Sequence, residues 1–249
     1  LGLLVVKSKA VKINGANLPL ELGGPLDLGH ALASSAGDLA NPAILAFLLI
    51  GAATLYAGDY RWETWRLISA RNSRPNLLLG KVGVLKLLTL AAMLVFLASG
   101  AVSEAIKAAI FVRPMTFTFG ATEASQFGLL FLLSFVRVVQ FLMISLLAAT
   151  VTRSLLAALF IPLVVGVGQF FLGGPLAPML GLEPGDWLTH LLLPGTAFEA
   201  LKALIKGGMD AAALPDGVAI KAITSLALWS LIPLAAAIVW FGRQDLSKE

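Results

Sequence analysis

The chain has 249 residues, of which 58% are hydrophobic and 13% charged, and its formal net charge is +4. Soluble domains carry about 25% charged residues, so this composition excludes an ordinary soluble enzyme or binding module and predicts an all-α integral membrane protein. Cysteine is absent, which excludes disulfides and thiolate metal sites within these residues.

Apolar runs in chain order predict membrane spans, each near the roughly 20 residues that cross a bilayer core of about 30 Å. Residues 1–6 are interpreted as the end of a first helix whose earlier part is missing. Residues 7–40 are predicted to be an outer loop, in which 10–40, rich in Gly, Asn, Pro and small residues, is extended or weakly structured. Complete spans are predicted at 41–57, 82–102, 126–151, 154–172 and 217–241. The sequence therefore predicts one domain, a six-helix transmembrane bundle.

The connections between the spans set the predicted orientation. Basic residues are retained on the cytoplasmic side, and they are densest in the loop 58–81 and the tail 242–249, which we assign to that side. The segments 103–125 and 173–216 are then outer connections. Within them, 103–109 and 196–206 are predicted to be short amphipathic helices at the membrane interface.

Several site motifs are absent from the sequence. Gly80 and Lys81 are followed by Val82, so they do not complete a phosphate-binding loop. Asp186 and His190 stand four residues apart, which fits either an acid–base or metal pair or a polar helix end at the interface. We expect no catalytic, metal or cofactor site in this chain.

The loop 58–81 mixes arginine with tryptophan, and a short helix over about 60–70 would separate them onto different faces. Such a helix lies on lipid headgroups, or projects into a groove of a cytosolic protein, where both residue types are common anchors. Pro75 favours extended geometry at Arg74 and so predicts a turn there.

The same loop resembles a pattern of the permease subunit of type-2 ATP-binding-cassette transporters, the bacterial exporter class. That pattern runs from an acidic residue through Thr and a hydrophobic pair to Ser-Arg and Gly-Lys. The matching residues here are Asp59 or Glu63, Thr64, Leu67, Ile68, Ser73, Arg74, Gly80 and Lys81. The chain departs at Glu63, where the family usually has Gly, and at Asn72, near the usual Pro. Residues 241–246 and 193–198 are similar to the closing and outer segments of the family.

The resemblance implies a single transmembrane permease domain that acts as a non-catalytic transport subunit in the bacterial cytoplasmic membrane. Two copies of a separate ATPase would bind ATP and Mg²⁺, and a second permease copy or a close homologue would complete the dimer. Transport is expected to be export, with membrane lipids around the bundle and no nucleic-acid partner. The residues expected to couple to the ATPase are Arg61, Trp65, Arg66, Arg71, Arg74 and Lys81, with Lys81 reaching the inner headgroups.

Arg137 stands near the middle of a predicted span, with Gln140 one turn away. An arginine there costs about 2.5–3.5 kcal/mol on insertion scales, so it should face protein or water. Two hypotheses remain open: the pair lines the transport pathway and meets cargo, or Arg137 is a structural clamp to carbonyl groups or to Gln169.

Two other functions remain as alternatives. One is a non-transporting membrane anchor or regulatory subunit of an ATPase-containing complex. The other is a membrane-embedded enzyme acting on lipid, for which Asp186, His190 and Glu199 are the candidate groups. The cargo is not readable from the sequence.

Overall fold

The computed structural model describes residues 10–13, 16–19, 26–61, 73–110, 114–174, 176–183 and 185–244. Strands β1 (Ala10–Ile13) and β2 (Ala16–Pro19) form an antiparallel hairpin, and β3 (Leu26–Asp27) pairs in parallel with β4 (Met115–Thr116). The helices are α1 (Leu28–Gly37), α2 (Pro42–Arg61), α3 (Arg74–Ile110), α4 (Ala121–Thr152), α5 (Leu155–Gly173), α6 (Trp187–Leu192), α7 (Pro194–Lys206), α8 (Met209–Ala212) and α9 (Val218–Arg243).

The helices α2, α3, α4, α5 and α9 are each long and apolar enough to cross a membrane. This confirms the predicted all-α membrane class. The remaining predicted span, 1–6, lies outside the described residues.

Helix α4 is at the centre of the bundle. In its most apolar stretch 72% of the residues are buried, against 17–33% in the other four long helices. The reason lies in its polar residues, because a polar side chain in a membrane span must find a protein partner. Ser134 Oγ donates to the carbonyl of Ala36 on α1, and Ser145 Oγ to that of Ala158 on α5, both at 2.7 Å.

Helix α1 corrects the prediction of an extended or weakly structured loop over 7–40. The carboxylate of Asp27 caps its first turn by accepting from the backbone N–H of Gly29 at 2.9 Å. Ala33, Ala36 and Gly37 are buried, because their small side chains let the helix pack closely on its neighbours. Small residues therefore indicated a loop in the sequence but serve helix packing in the fold.

Helix α3 corrects two further expectations. Residues 103–109 are not a separate interfacial helix but the last turns of α3, because Glu104 and Lys107 favour helix and pair at 2.6 Å without a breaker before them. At the other end α3 begins at Arg74, and Pro75 lies in its first turn, where the missing N–H costs nothing. With 37 residues the helix is about 55 Å long and exceeds the bilayer core.

Helices α6 and α7 lie between α5 and α9 in the chain. The predicted helix 196–206 falls within α7, which is amphipathic: Ala197, Phe198 and Ala200 are buried, whereas Glu199 is exposed. Its first turn reaches into the bundle, since Gly195 is placed next to Arg137 of α4 and Gln169 of α5. This insertion brings the α7 backbone to the one buried arginine among the described residues.

Candidate functional site

The loop predicted to couple to an ATPase is described only at its two ends. Arg61 is the last residue of α2. Trp65, Arg66 and Arg71 lie outside the described residues. The loop returns at Ser73, directly before α3, so the structure shows how the loop is attached to the bundle.

Arg74 attaches the start of α3 to the end of α9. Its Nη1 group donates to the carbonyl oxygens of Phe241 at 3.5 Å, Gly242 at 3.3 Å and Gln244 at 2.5 Å. The last carbonyls of a helix lack partners within the helix and carry partial negative charge. A guanidinium group at this position therefore satisfies them and holds α9 against α3.

Gln244 extends this contact to two further helices. Its side-chain amide donates to the carbonyl of Thr150 on α4, and its amide oxygen accepts from Tyr60 Oη on α2 at 3.2 Å. The ring of Tyr60 meets that of Phe241 edge to face at 6.5 Å. We call the set Arg74, Tyr60, Thr150, Phe241, Gly242 and Gln244 the Arg74 junction; it joins α2, α3, α4 and α9 beside the loop.

Lys81 forms a second attachment. Its ammonium lies 2.5 Å from Asp59 Oδ2 and donates to the carbonyl of Leu55 at 2.8 Å, which links α3 to the end of α2. We expected Lys81 to reach the lipid headgroups; in the structure its ammonium is bound within the chain. The helices on both sides of the loop are thus tied to each other.

Arg137 occupies the middle of α4 and is only 8% exposed. Its Nη1 donates to Gln140 Oε1 and its Nη2 to Gln169 Oε1, each at 2.7 Å. The guanidinium carbon lies 4.7 Å from the ring centre of Phe141 and 5.8 Å from that of Phe198. Arg137 faces protein as expected, and the contact to Gln169 is the one that the clamp hypothesis named.

Among the described residues, the charge of Arg137 has no direct counterion. In the described part of the chain no carboxylate lies within ion-pair distance of its guanidinium, and Glu199 acts on it only through longer-range attraction. Because a guanidinium group can only donate, both glutamine oxygens must face it. The side-chain amide nitrogens of Gln140 and Gln169 are then left buried, with no hydrogen-bond partner in the parts of the chain that the structure describes.

Beside Arg137 lies a cavity of about 1120 Å³ between α2, α4, α5 and α7. Most of its wall is apolar. The apolar lining residues include Leu45, Leu49, Phe141, Leu163, Val167, Phe170 and Phe198. The polar ones include Arg137, Gln169, Thr189, His190, Thr196, Glu199 and Asp210. Gln140 does not line it. The two residues of the predicted pair therefore differ in position. Arg137 borders the cavity, whereas Gln140 accepts a hydrogen bond from Arg137 and does not border the cavity.

The candidate groups for a lipid-modifying enzyme are not assembled into one site. His190 is buried and lines the cavity, as does the exposed Glu199, whereas Asp186 is exposed and does not. Sequence reasoning missed Gln244, Tyr60 and Phe198. The closing segment 241–246 pointed to Gln244 only as part of a family pattern and gave no contact for it.

The family model described as ABC-2 family transporter protein matches residues 32–246, which is most of the chain. No curated protein and no solved structure matched. With the five apolar helices, this match establishes a multi-pass membrane protein. The chain therefore belongs to the ABC-2 transporter family and is the membrane-embedded permease subunit of an ABC transporter, a transport subunit that is not itself catalytic.

Proposed function

We propose that this permease exports its cargo across a bacterial cytoplasmic membrane with energy from ATP hydrolysed by a separate subunit. Two ATPase copies bind ATP and Mg²⁺, and two permeases, identical or closely homologous, form the membrane part. The loop 58–81 faces the cytoplasm and rests on the ATPase. This assignment follows the family membership and the basic, tryptophan-containing composition of the loop.

The observation that carries the proposal is the attachment of the loop to the bundle. Arg74, at the loop's end, bonds to three carbonyls at the end of α9, and Lys81 pairs with Asp59 at the end of α2. A displacement of the loop is therefore passed to several helices rather than absorbed by one flexible joint. Closure of the ATPase pair favours the permease conformation whose loops fit the closed form, which is the differential binding that a conformational change requires.

Within this scheme the predicted residues have three roles. Trp65, Arg66 and Arg71, with Arg61, make the contacts to the ATPase. Arg74 and Lys81 transmit the movement, because their side chains are bonded within the chain. Arg137 lies on the transport pathway, with Gln140 holding its guanidinium in place.

The test is retention of the ATPase during purification of the full chain. Replacing Trp65 and Arg66 together with serine should reduce ATPase retention at least tenfold, since tryptophan and arginine commonly dominate interface energy. The matched control replaces Trp187 and Lys206 with serine: both precede the last span and belong to the predicted outer side. Equal ATPase retention by both double variants would show that the loop contacts lipid only.

A complex that hydrolyses ATP without moving any solute would support the regulatory alternative. To distinguish regulation from transport, the intact complex is reconstituted into sealed vesicles and ATP is added outside. Loss or uptake of solute by the vesicles then indicates transport.

A further inference from the structure

The guanidinium group of Arg137 has unused hydrogen-bonding capacity at the wall of the cavity. It offers five N–H donors, and the described contacts are one to Gln140 and one to Gln169. The rings of Phe141 and Phe198 cover it without accepting a conventional hydrogen bond. No carboxylate in the described ranges pairs with it. A buried positive charge without a paired anion is costly, so an anion at this point would be stabilised strongly.

A second donor points to the same ligand chemistry. Gln169 lines the cavity and is only 7% exposed, and its amide nitrogen has no hydrogen-bond partner among the described residues. Its oxygen is already occupied by Arg137, so this amide presents N–H donors and no free acceptor on that side. Together Arg137 and Gln169 form a donor-only end of the cavity, which is complementary to carboxylate or phosphate oxygens.

The rest of the cavity is suited to the hydrocarbon part of a ligand rather than to an anion. Its wall is mainly aliphatic and aromatic, and it includes the exposed side chains Val167 and Phe170, so the cavity opens beside the second half of α5. Its volume of about 1120 Å³ exceeds what a small inorganic anion fills. The acidic residues Glu199 and Asp210 are exposed at the α7 and α8 side and disfavour a ligand with further negative charge there.

We infer that the cavity binds an amphiphile with one anionic end: its carboxylate or phosphate meets Arg137 and Gln169, and its hydrocarbon chain lies along the apolar wall. This inference rests on the proposed function, because it names the class of cargo for a pathway that includes Arg137. The hydrocarbon enters through the opening beside α5, and the charge is bound at the donor-only end.

Binding is measured on the purified full chain in phosphatidylcholine nanodiscs with four probes. Oleate and lysophosphatidate carry a chain and an anion, oleyl alcohol carries the chain only, and inorganic phosphate carries the anion only. Oleate and lysophosphatidate should bind at least tenfold more tightly than oleyl alcohol, because charge-assisted hydrogen bonds are among the strongest. Oleyl alcohol binding as tightly as oleate, or phosphate binding as tightly as lysophosphatidate, overturns the inference.

The decisive variant is Gln169→Glu. It keeps the size of the side chain but places a carboxylate where an oxygen lies 2.7 Å from the guanidinium, which neutralises Arg137 and retains the contact between α4 and α5. The preference for oleate over oleyl alcohol should disappear while the melting temperature stays the same or rises. A preference that survives this substitution overturns the inference.

Two further variants locate the ligand. Ala203→Trp adds bulk to the cavity wall away from Arg137 and should weaken oleate and oleyl alcohol alike; unchanged binding of both contradicts a site in this cavity. Lys107→Met removes one exposed positive charge at the end of α3 and should leave all four affinities unchanged. Loss of oleate binding in this control would assign the preference to general charge rather than to Arg137.

The failure of this inference is distinguishable from that of the proposed function. If the ATPase is retained but oleate shows no preference, only the class of cargo is wrong. If oleate binds as expected but the ATPase is retained equally by the loop and control variants, the coupling proposal is wrong and the anionic site stands.

Discussion

Replacing Arg74 with methionine should release the end of α9 from the start of α3. The substitution keeps much of the aliphatic length but removes the donor to the carbonyls of Phe241, Gly242 and Gln244. Hydrogen bonds from a charged donor contribute about 1.5–3 kcal/mol. Since Arg74 is partly exposed, water replaces some of the loss, and we expect about 2 kcal/mol for the whole contact.

Amide hydrogen exchange at the end of α9 measures this loss directly. A local opening free energy lower by about 2 kcal/mol accelerates exchange about thirtyfold. Arg243→Met is the matched control, because Arg243 ends the same helix and its side chain makes no hydrogen bond or ion pair within the described ranges. If the exchange rate in Arg74→Met stays within threefold of that in the unsubstituted chain, the Arg74 junction does not hold the end of α9. An equal acceleration in Arg243→Met would lead to the same conclusion.

Three further predictions concern helix α1 and its contacts. Ser134→Ala removes a buried 2.7 Å hydrogen bond to α1 and should lower the free energy of unfolding by about 1–3 kcal/mol, measured by thermal unfolding in detergent. Gly29→Ala should lower the melting temperature because the added Cβ would overlap the carbonyl of Thr118, whereas Gly51→Ala, with open space around it, should not. The backbone N–H of Thr118 holds the pKa of the Asp27 carboxyl below its ordinary value of 3.8. The stabilisation by the carboxylate is therefore present above pH 3.8 and is lost as the pH falls through the lowered pKa. Amide hydrogen exchange at Thr118 should accelerate over that pH range, and Asp27→Asn should remove this pH dependence.

Hydrophobic length and the cost of buried charge account for what the sequence predicted. Runs of about 20 apolar residues identified the five long helices, and the expense of an arginine in a span predicted that Arg137 would face protein. A clamp to carbonyl groups or to Gln169 of the next helix was one of the two hypotheses for Arg137, and the structure has the contact to Gln169 at 2.7 Å.

The remaining features depend on the rotation and depth of helices, which periodicity does not fix. Arg74 meets carbonyl groups more than 160 residues away, and backbone carbonyls carry no sequence signal. Helix α1 depends on packing of small residues that locally resemble a loop. The first turn of α7 lies beside Arg137 and forms part of the cavity wall, whereas the sequence of α7 indicated only an amphipathic helix.

A single cysteine in the loop is the sharpest test of the proposed contact between the loop and the ATPase. Because the 249 residues contain no cysteine, Trp65→Cys creates a unique thiol in the loop, and Trp187→Cys creates one before the last span as a control. We expect the thiol at position 65 to react with a membrane-impermeant maleimide from the cytoplasmic face only, and to crosslink to the ATPase in the intact complex. Labelling of position 65 from the outer face, or crosslinking of position 187 but not position 65, would contradict the account.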